Sequence, residues 1–373
     1  MLQNTKQLKV RNSSIELLRI IAMIMIVFHH FAFHGGFELD IINPINHYWY
    51  NFIIMGGKIG VNVFVIISGY YLIDNDKLSI NLSKLLKFIG QVFFYSIVIF
   101  IIGKLSGVDD LGWKSAVKAF FPLTFSQWWF ASAYFVLYLL HPFLNKLLKN
   151  LDKSSYQKFI LILVVCWSVI PTFTTSLFQS NSLLWFVTLY SISGYIKLYG
   201  LNSKFTVKHY FAFFVISSIL TYSTSVVLAL LGQRWAIFLS YERYFYGQEK
   251  VTTLLISLCL FMFFVSLKIN NHKWINLVAS TTFGVYLIHE HSIIRQFLWV
   301  EIFQNAQYQS DLFLIPYSII VVTIVYVACA FIDFLRQYFI EKPFMFLVRK
   351  CLNKEIIFFT KLRDALRNFV FGK

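Results

Sequence analysis

The sequence is short of charge. Charged residues make up 13% of its 373 positions, about half the share usual for a soluble domain. So few charges cannot coat a globule of this size, and a wholly water-facing fold is excluded. Cysteine is scarce as well. Cys166, Cys259 and Cys329 lie inside apolar runs and Cys351 in a basic stretch. None is spaced as a metal-ligand pair, so neither a disulfide framework nor a zinc site is expected. No small-residue cleavage site follows the first apolar run, which is therefore expected as a retained helix rather than a signal peptide. Tandem repeats, low-complexity stretches and a linker to a second domain are also missing.

What is present is apolar and aromatic. Hydrophobic residues reach 58% and aromatics 19%, with 42 Phe, and the mean hydropathy is +0.66. Lipid as the solvent accounts for all three, because Phe faces hydrocarbon well and Tyr and Trp favour the interfaces. The net charge of +16 would suggest nucleic acid in a soluble protein. Here the basic residues sit between apolar runs, which points to membrane orientation and anionic lipid and away from nucleic acid.

A spanning helix needs about 20 mostly apolar residues. Ten runs qualify, at 15–33, 52–73, 85–103, 128–148, 159–176, 182–199, 210–231, 251–267, 277–297 and 312–335. The expected fold is all-α, a polytopic transmembrane helix bundle of about ten spans over residues 1–340. Residues 341–373, which mix Phe and Leu with Lys and Arg, are expected as a basic amphipathic tail on the inner leaflet. The stretch 111–125 is too short to span and suits the interface. With the N-terminus inside, 24 of the 33 Lys and Arg fall in inner segments and 8 in outer ones, Lys58 among the latter. That bias places both termini in the cytoplasm and implies a multi-pass protein of the cell membrane.

Ionisable residues inside spans are costly and mark function by default. Arg19 and His30 are eleven residues apart in the first run. Eleven steps of about 100° leave an offset of about 20°, so they share a helix face roughly 16 Å apart along the axis. Glu16 lies near that face, while His29 points about 80° away; which imidazole is active stays open between His29 and His30. Taken alone, Arg19 is equally well read as snorkelling to inner headgroups. The ninth run carries Tyr286, His289, Glu290 and His291, with His289 at the depth of His30. His291 and Arg295 read as a polar cluster that ends the helix. Glycines in the second run read as close helix packing, and Asn62 and Ser68 there are polar enough to face a cavity. Trp128 and Trp129 suit an aromatic belt, and following Gln127 they also suit stacking on a sugar ring.

At these residues the sequence resembles the membrane acyltransferase-3 family, bacterial integral membrane O-acyltransferases of surface polysaccharides. The resemblance rests on Arg19-x10-His30, on Gly60-Val61 and Ser68-Gly69-Tyr70, on Trp128-Trp129-Phe130 followed by Leu137-Tyr138-Leu139-Leu140 and Pro142, on Thr282-Phe283-Gly284-Val285-Tyr286-Leu287-Ile288-His289, and on Glu341-Lys342-Pro343. Asn62 stands where Asp is common in the family, and Lys87 where Arg is common. The resemblance implies transfer of an acyl group, usually acetyl from cytoplasmic acetyl-CoA, to a hydroxyl of a cell-surface polysaccharide or its lipid-linked precursor.

Chemistry then assigns roles. Acyl transfer needs a base, a phosphate site and oxyanion stabilisation. His30 is the expected base or transient acyl carrier, with His289 orienting or replacing it and Glu290 nearby. Arg19, Lys84 and Lys87 are expected to hold the coenzyme phosphates. Asn62, Ser68 or Tyr286 is expected to donate to the oxyanion, with Ser68 also on the coenzyme side. Trp128 and Trp129 are expected to platform the acceptor. No metal is expected. The competing reading is a transporter or flippase of a lipid-linked sugar or small anion, which would usually show repeated halves with broken helices; no such symmetry is visible.

Overall fold

In the computed structural model, residues 11–39, 42–108, 111–201 and 204–351 are described, and among them every regular element is a helix. The expected tail beyond residue 351 lies outside the described residues. The helices are α1 (Ser13–Phe33), α2 (Pro44–Leu72), α3 (Leu82–Leu105), α4 (Trp113–Phe120), α5 (Trp129–Asn150), α6 (Lys153–Val164), α7 (Ile170–Phe173), α8 (Ser182–Tyr199), α9 (Val207–Gly232), α10 (Val251–Ser266), α11 (Lys273–His289), α12 (Ser292–Gln296) and α13 (Leu314–Arg336). Each apolar run falls on a helix or on two successive helices. Among the described residues, seven helical stretches are long and apolar enough to cross a membrane, against the ten runs expected; α5, α8 and α11 are not among the seven.

Several boundaries differ from the hydropathy reading, and two of them have a clear local cause. Helix α2 starts at Pro44, eight residues before the apolar run. Asn43 caps it, its side chain accepting from the Ile45 N–H, and proline at the first position loses no helical hydrogen bond. Helix α11 stops at His289 instead of running on to 297. The chain turns at Glu290 and His291, and His291 accepts from the Ile293 N–H to start α12. Residues 342–351 continue the α13 helix beyond a π-turn at Gln337–Glu341.

Prolines inside helices are accommodated visibly. Pro142 of α5 lacks an N–H, which would orphan the carbonyl of Tyr138 one turn back. Nδ1 of His141 donates to that carbonyl at 2.5 Å. Pro171 follows a π-turn at Val165–Val169 that joins α6 to α7; such turns open the ladder where a proline ring would otherwise clash. Asp152 caps α6, and its bonds from Ser155 and from the Ser154 N–H hold its carboxyl below the usual range.

Helix α1 is enclosed by α2, α10, α11 and α13. Small residues permit the approach. A Cβ on Gly57 would sit 2.2 Å from the His29 ring, and one on Gly60 2.6 Å from the Ala22 carbonyl. On the far side of the bundle, a Cβ on Gly284 would meet the Asp333 carboxyl at 2.1 Å. These contacts draw α2 and α11 against α1 and α13 and so place one face of α1 on an internal cavity. The short helix α4 carries Lys114 and Lys118 on a polar face and leaves Trp113 exposed.

Candidate active site

One face of α1 lines the cavity. Arg19, Met23, Ile26 and His30 follow a spacing of four, three and four residues, which keeps side chains on a single stripe. The cavity encloses about 410 Å³. Helix α2 contributes Gly57, Lys58, Val61, Phe64 and Ser68; α3 contributes Lys84, Lys87, Phe88 and Gln91; α5 contributes Trp129, Phe130 and Tyr134; α11 contributes Thr282, Phe283 and Tyr286. His29 also reaches the wall, with Nδ1 held by the Ile54 carbonyl at 2.9 Å.

At the His30 end the hydrogen bonds set a tautomer. Nδ1 of His289 lies 2.5 Å from the Val285 carbonyl. A carbonyl only accepts, so Nδ1 of His289 carries the proton, and the neutral ring then has a lone pair on Nε2. That Nε2 lies 2.9 Å from Nδ1 of His30, so Nδ1 of His30 donates. His30 keeps its lone pair on Nε2, in a ring that lines the cavity and is 13% exposed. Glu290 completes the cluster. Its Oε2 lies 3.3 Å from Nδ1 of His30 and 3.2 Å from Nε2 of His34, and its Oε1 lies 3.4 Å from Arg295.

At the other end the cavity is cationic. Arg19 is only 3.9 Å from Glu16, and its buried Nε has no hydrogen-bond partner. Lys84 lines the same wall. Lys87 is bound at 2.6 Å to Glu341, which also takes Arg336 at 2.8 Å. Arg336 in turn pairs at 2.7 Å with Asp333, a fully buried carboxylate that accepts from Tyr95, Gln91 and Gln337. A second cavity shares Arg19, Ser68, Lys84, Phe88 and Tyr134 with the first, and a third shares Tyr71, Leu72, Lys84 and Tyr138 with the second and reaches the 74–81 loop. Shared walls thus join the loop between α2 and α3 to His30.

The expected residues separate into two groups. Arg19, His30, Lys84, Lys87, Ser68, Trp129 and Tyr286 line the cavity, and His289 and Glu290 stand behind His30. The Tyr286 hydroxyl is buried and makes no hydrogen bond of good geometry, although the Phe130 backbone is close. Ser68 donates to the Phe64 carbonyl at 2.9 Å. Asn62 and Trp128 are not on the wall. Asn62 is fully buried, donating to the Gln248 carbonyl and accepting from Trp185, both at 2.9 Å; it ties α2 to α8 and to the start of α10. Trp128 is 1% exposed and packs edge-on against His291 at 5.2 Å between ring centres. Adjacent residues at a helix start point apart, so only one of two tandem tryptophans can face the cavity.

Three further participants carry weaker signals in the sequence. Lys58, counted with the outer loops, lies at the midpoint of α2, with its ammonium 5.7 Å from the centre of the Trp129 ring. His34 was within reach as the residue one turn after His30. Asp333, an acid inside an apolar run, carried the same signal that drew notice to Arg19. His30, His34 and Glu290 bring ligand-capable atoms within 4.8 Å of one another, a donor set that suits a first-row divalent ion. The His289 hydrogen bond already engages the His30 atom in that set.

Chemically, this arrangement offers a histidine base with a defined lone pair, a carboxylate behind it, a free phenol beside it and an anion site about 16 Å along the same helix. No curated protein and no solved structure gave a match. A family model described as an acyltransferase domain matches residues 12–333, which take in every cavity-lining residue, and the chain therefore belongs to the membrane acyltransferase-3 family and is a membrane acyltransferase.

Proposed function

We propose that the protein moves an acetyl group from acetyl-CoA to a hydroxyl of a cell-surface polysaccharide or its lipid-linked precursor, in the cell membrane. The observation that carries this reading is the relay from the Val285 carbonyl through His289 to His30, which leaves a basic nitrogen on a cavity whose far end holds Arg19 and Lys84. The positive-inside bias of the sequence supports an orientation with both ends in the cytoplasm. The coenzyme then enters at the Arg19 end, and the acceptor meets His30 from the other side.

Arg19 suits the coenzyme phosphates because its buried Nε lacks a partner and guanidinium pairs well with phosphate. Lys84 adds a second charge, while Lys87 is held by Glu341. The reaction follows from these positions. His30 Nε2 takes the proton from the acceptor hydroxyl as its oxygen attacks the thioester carbon. The carbonyl oxygen becomes an oxyanion, and the Tyr286 hydroxyl is the unspent donor for it. Collapse breaks the carbon–sulfur bond, and the leaving thiolate takes the proton held by His30. The ester and free coenzyme A are the products. Trp129 offers its ring to the acceptor.

The test is acetyl transfer from radiolabelled acetyl-CoA by membranes holding equal amounts of folded wild type and His30→Ala. A loss of about 10²- to 10⁴-fold is expected for removal of a general base. Equal activity of the two rejects the assignment. Mass spectrometry of surface glycans from cells with and without the protein identifies the acetylated unit.

A further inference from the structure

Lys58 is a cation that the reaction above does not use. It lies at the midpoint of α2, six residues and about 9 Å at 1.5 Å per residue inside the apolar run that starts at residue 52, with its ammonium beside the Trp129 ring. It lines the same cavity as His30. Its level is that of the histidines, because the adjoining turn of α2 holds His29 through the Ile54 carbonyl and Gly57 rests on the His29 ring. Four other cations are neutralised, Arg336 by Asp333 and Glu341, Lys87 by Glu341, Lys250 by Glu249 and Arg295 by Glu290, and Arg19 and Lys84 are assigned above to the coenzyme. Lys58 makes no ion pair among the described residues; its ammonium stands over the face of Trp129, 5.7 Å from the ring centre. Glu249 and Glu290 act on it only from a distance.

An ammonium inside a bundle is costly unless an anion accompanies it. Resting on the reading of His30 as the base for acyl transfer, we propose that Lys58 is an acceptor-side anion subsite: the acceptor is a sugar or polyol that carries a carboxylate or phosphate, and this group pairs with Lys58 while a neighbouring hydroxyl is presented to His30. The position favours the acceptor over the coenzyme. The coenzyme phosphates have Arg19 and Lys84 at the far end of the cavity, with Arg19 on the same face of α1 as His30 but eleven residues and about 16 Å away, whereas Lys58 sits beside Trp129, the ring exposed to the cavity for stacking. A ring stacked on Trp129 with an acidic substituent toward Lys58 would be held at two points, which fixes which hydroxyl reaches the base.

The experiment uses the purified full-length protein in lipid nanodiscs with labelled acetyl-CoA and three acceptors: methyl glucoside, methyl glucuronide and methyl 6-phosphoglucoside. Wild type is expected to prefer at least one anionic acceptor over the neutral one by tenfold or more in kcat/KM, expressed in KM; the carboxylate and phosphate arms tell which anion is taken. Lys58→Met is expected to bring the anionic-to-neutral ratio near one, and Lys58→Arg to keep most of it. No preference in the wild type overturns the inference, and that arm needs no variant to fold. Equal loss on all three acceptors in Lys58→Met also overturns it, by assigning Lys58 to the oxyanion or to helix packing. Consumption of acetyl-CoA by any acceptor or by water reports separately on the acyltransfer reading, so a preference that fails while the thioester is consumed counts against Lys58 alone.

Discussion

Replacing His289 by leucine tests the relay rather than the base itself. His289 is fully buried and touches His30 through one 2.9 Å hydrogen bond. Leucine keeps the volume and removes the acceptor. The proton on His30 Nδ1 then retains only Glu290, 3.3 Å away and poorly aligned. Loss of a buried partner costs about 1–3 kcal/mol, which at 1.4 kcal/mol per tenfold corresponds to about five- to 150-fold in rate. The loss should fall on kcat, because His289 reaches the substrate only through His30. His289→Gln, whose amide oxygen can accept the same proton, should recover part of it. The assay is acetyl transfer at saturating donor, normalised to monodisperse protein. Combining His289→Leu with His30→Ala should cost no more than His30→Ala alone, since residues that act as a unit are not additive. Multiplying losses in the double variant, or a Gln variant no better than Leu, would refute the relay.

Arg19→Met should raise the KM for acetyl-CoA about tenfold or more with a smaller change in kcat, measured by initial rates over a donor series; a change confined to kcat contradicts a phosphate role. Gly284→Ala places a methyl 2.1 Å from the Asp333 carboxyl and should destabilise the protein by about 1–3 kcal/mol, as overpacking does; a thermal midpoint equal to that of wild type would show that α13 yields. Treatment with EDTA should leave acyl transfer unchanged, because His30 acts through the His289 hydrogen bond, while excess Zn²⁺ should inhibit by capturing His30, His34 and Glu290; activity lost to EDTA and restored by a metal would overturn that assignment.

Much of this architecture is legible before any coordinates. Hydropathy finds the helical runs because lipid exposure demands unbroken apolar stretches, and the eleven-residue interval of Arg19 and His30 places both on the cavity because 3.6 residues per turn leaves so little offset. What was not legible has local causes. Pro44 starts α2 inside a polar stretch that hydropathy assigns to a loop; Lys58 lies within the apolar run itself, near its outer end, where a tally by sign does not separate a loop lysine from one that lines a cavity. The turn at Glu290 needs no glycine or proline, so the end of α11 carries no breaker signal. Asn62 and Trp128 have the composition of site residues, yet their partners, Trp185, Gln248 and His291, come from segments distant in sequence. A polar side chain committed to such a partner cannot be told from a free one by spacing alone.

The same distinction governs charge. A sequence tally treats Arg19, Lys58, Lys84, Lys87 and Arg336 as equivalent positive charges. In the fold, Asp333 and Glu341 neutralise Arg336 and hold Lys87, and this network joins the end of α13 to α3 through Gln91 and Tyr95. Its carboxylates are buried, so they stabilise the bundle only while paired. The remaining cations, Arg19, Lys84 and Lys58, are the ones left for anions from outside the chain. They fall into two sets along one cavity, Arg19 and Lys84 at one end and Lys58 beside His30. A donor carrying phosphates and an acceptor carrying its own acidic group would each meet the set nearest its entrance. Like charges repel, and the two anionic substrates would be held apart everywhere except at the thioester and the hydroxyl, which meet at His30.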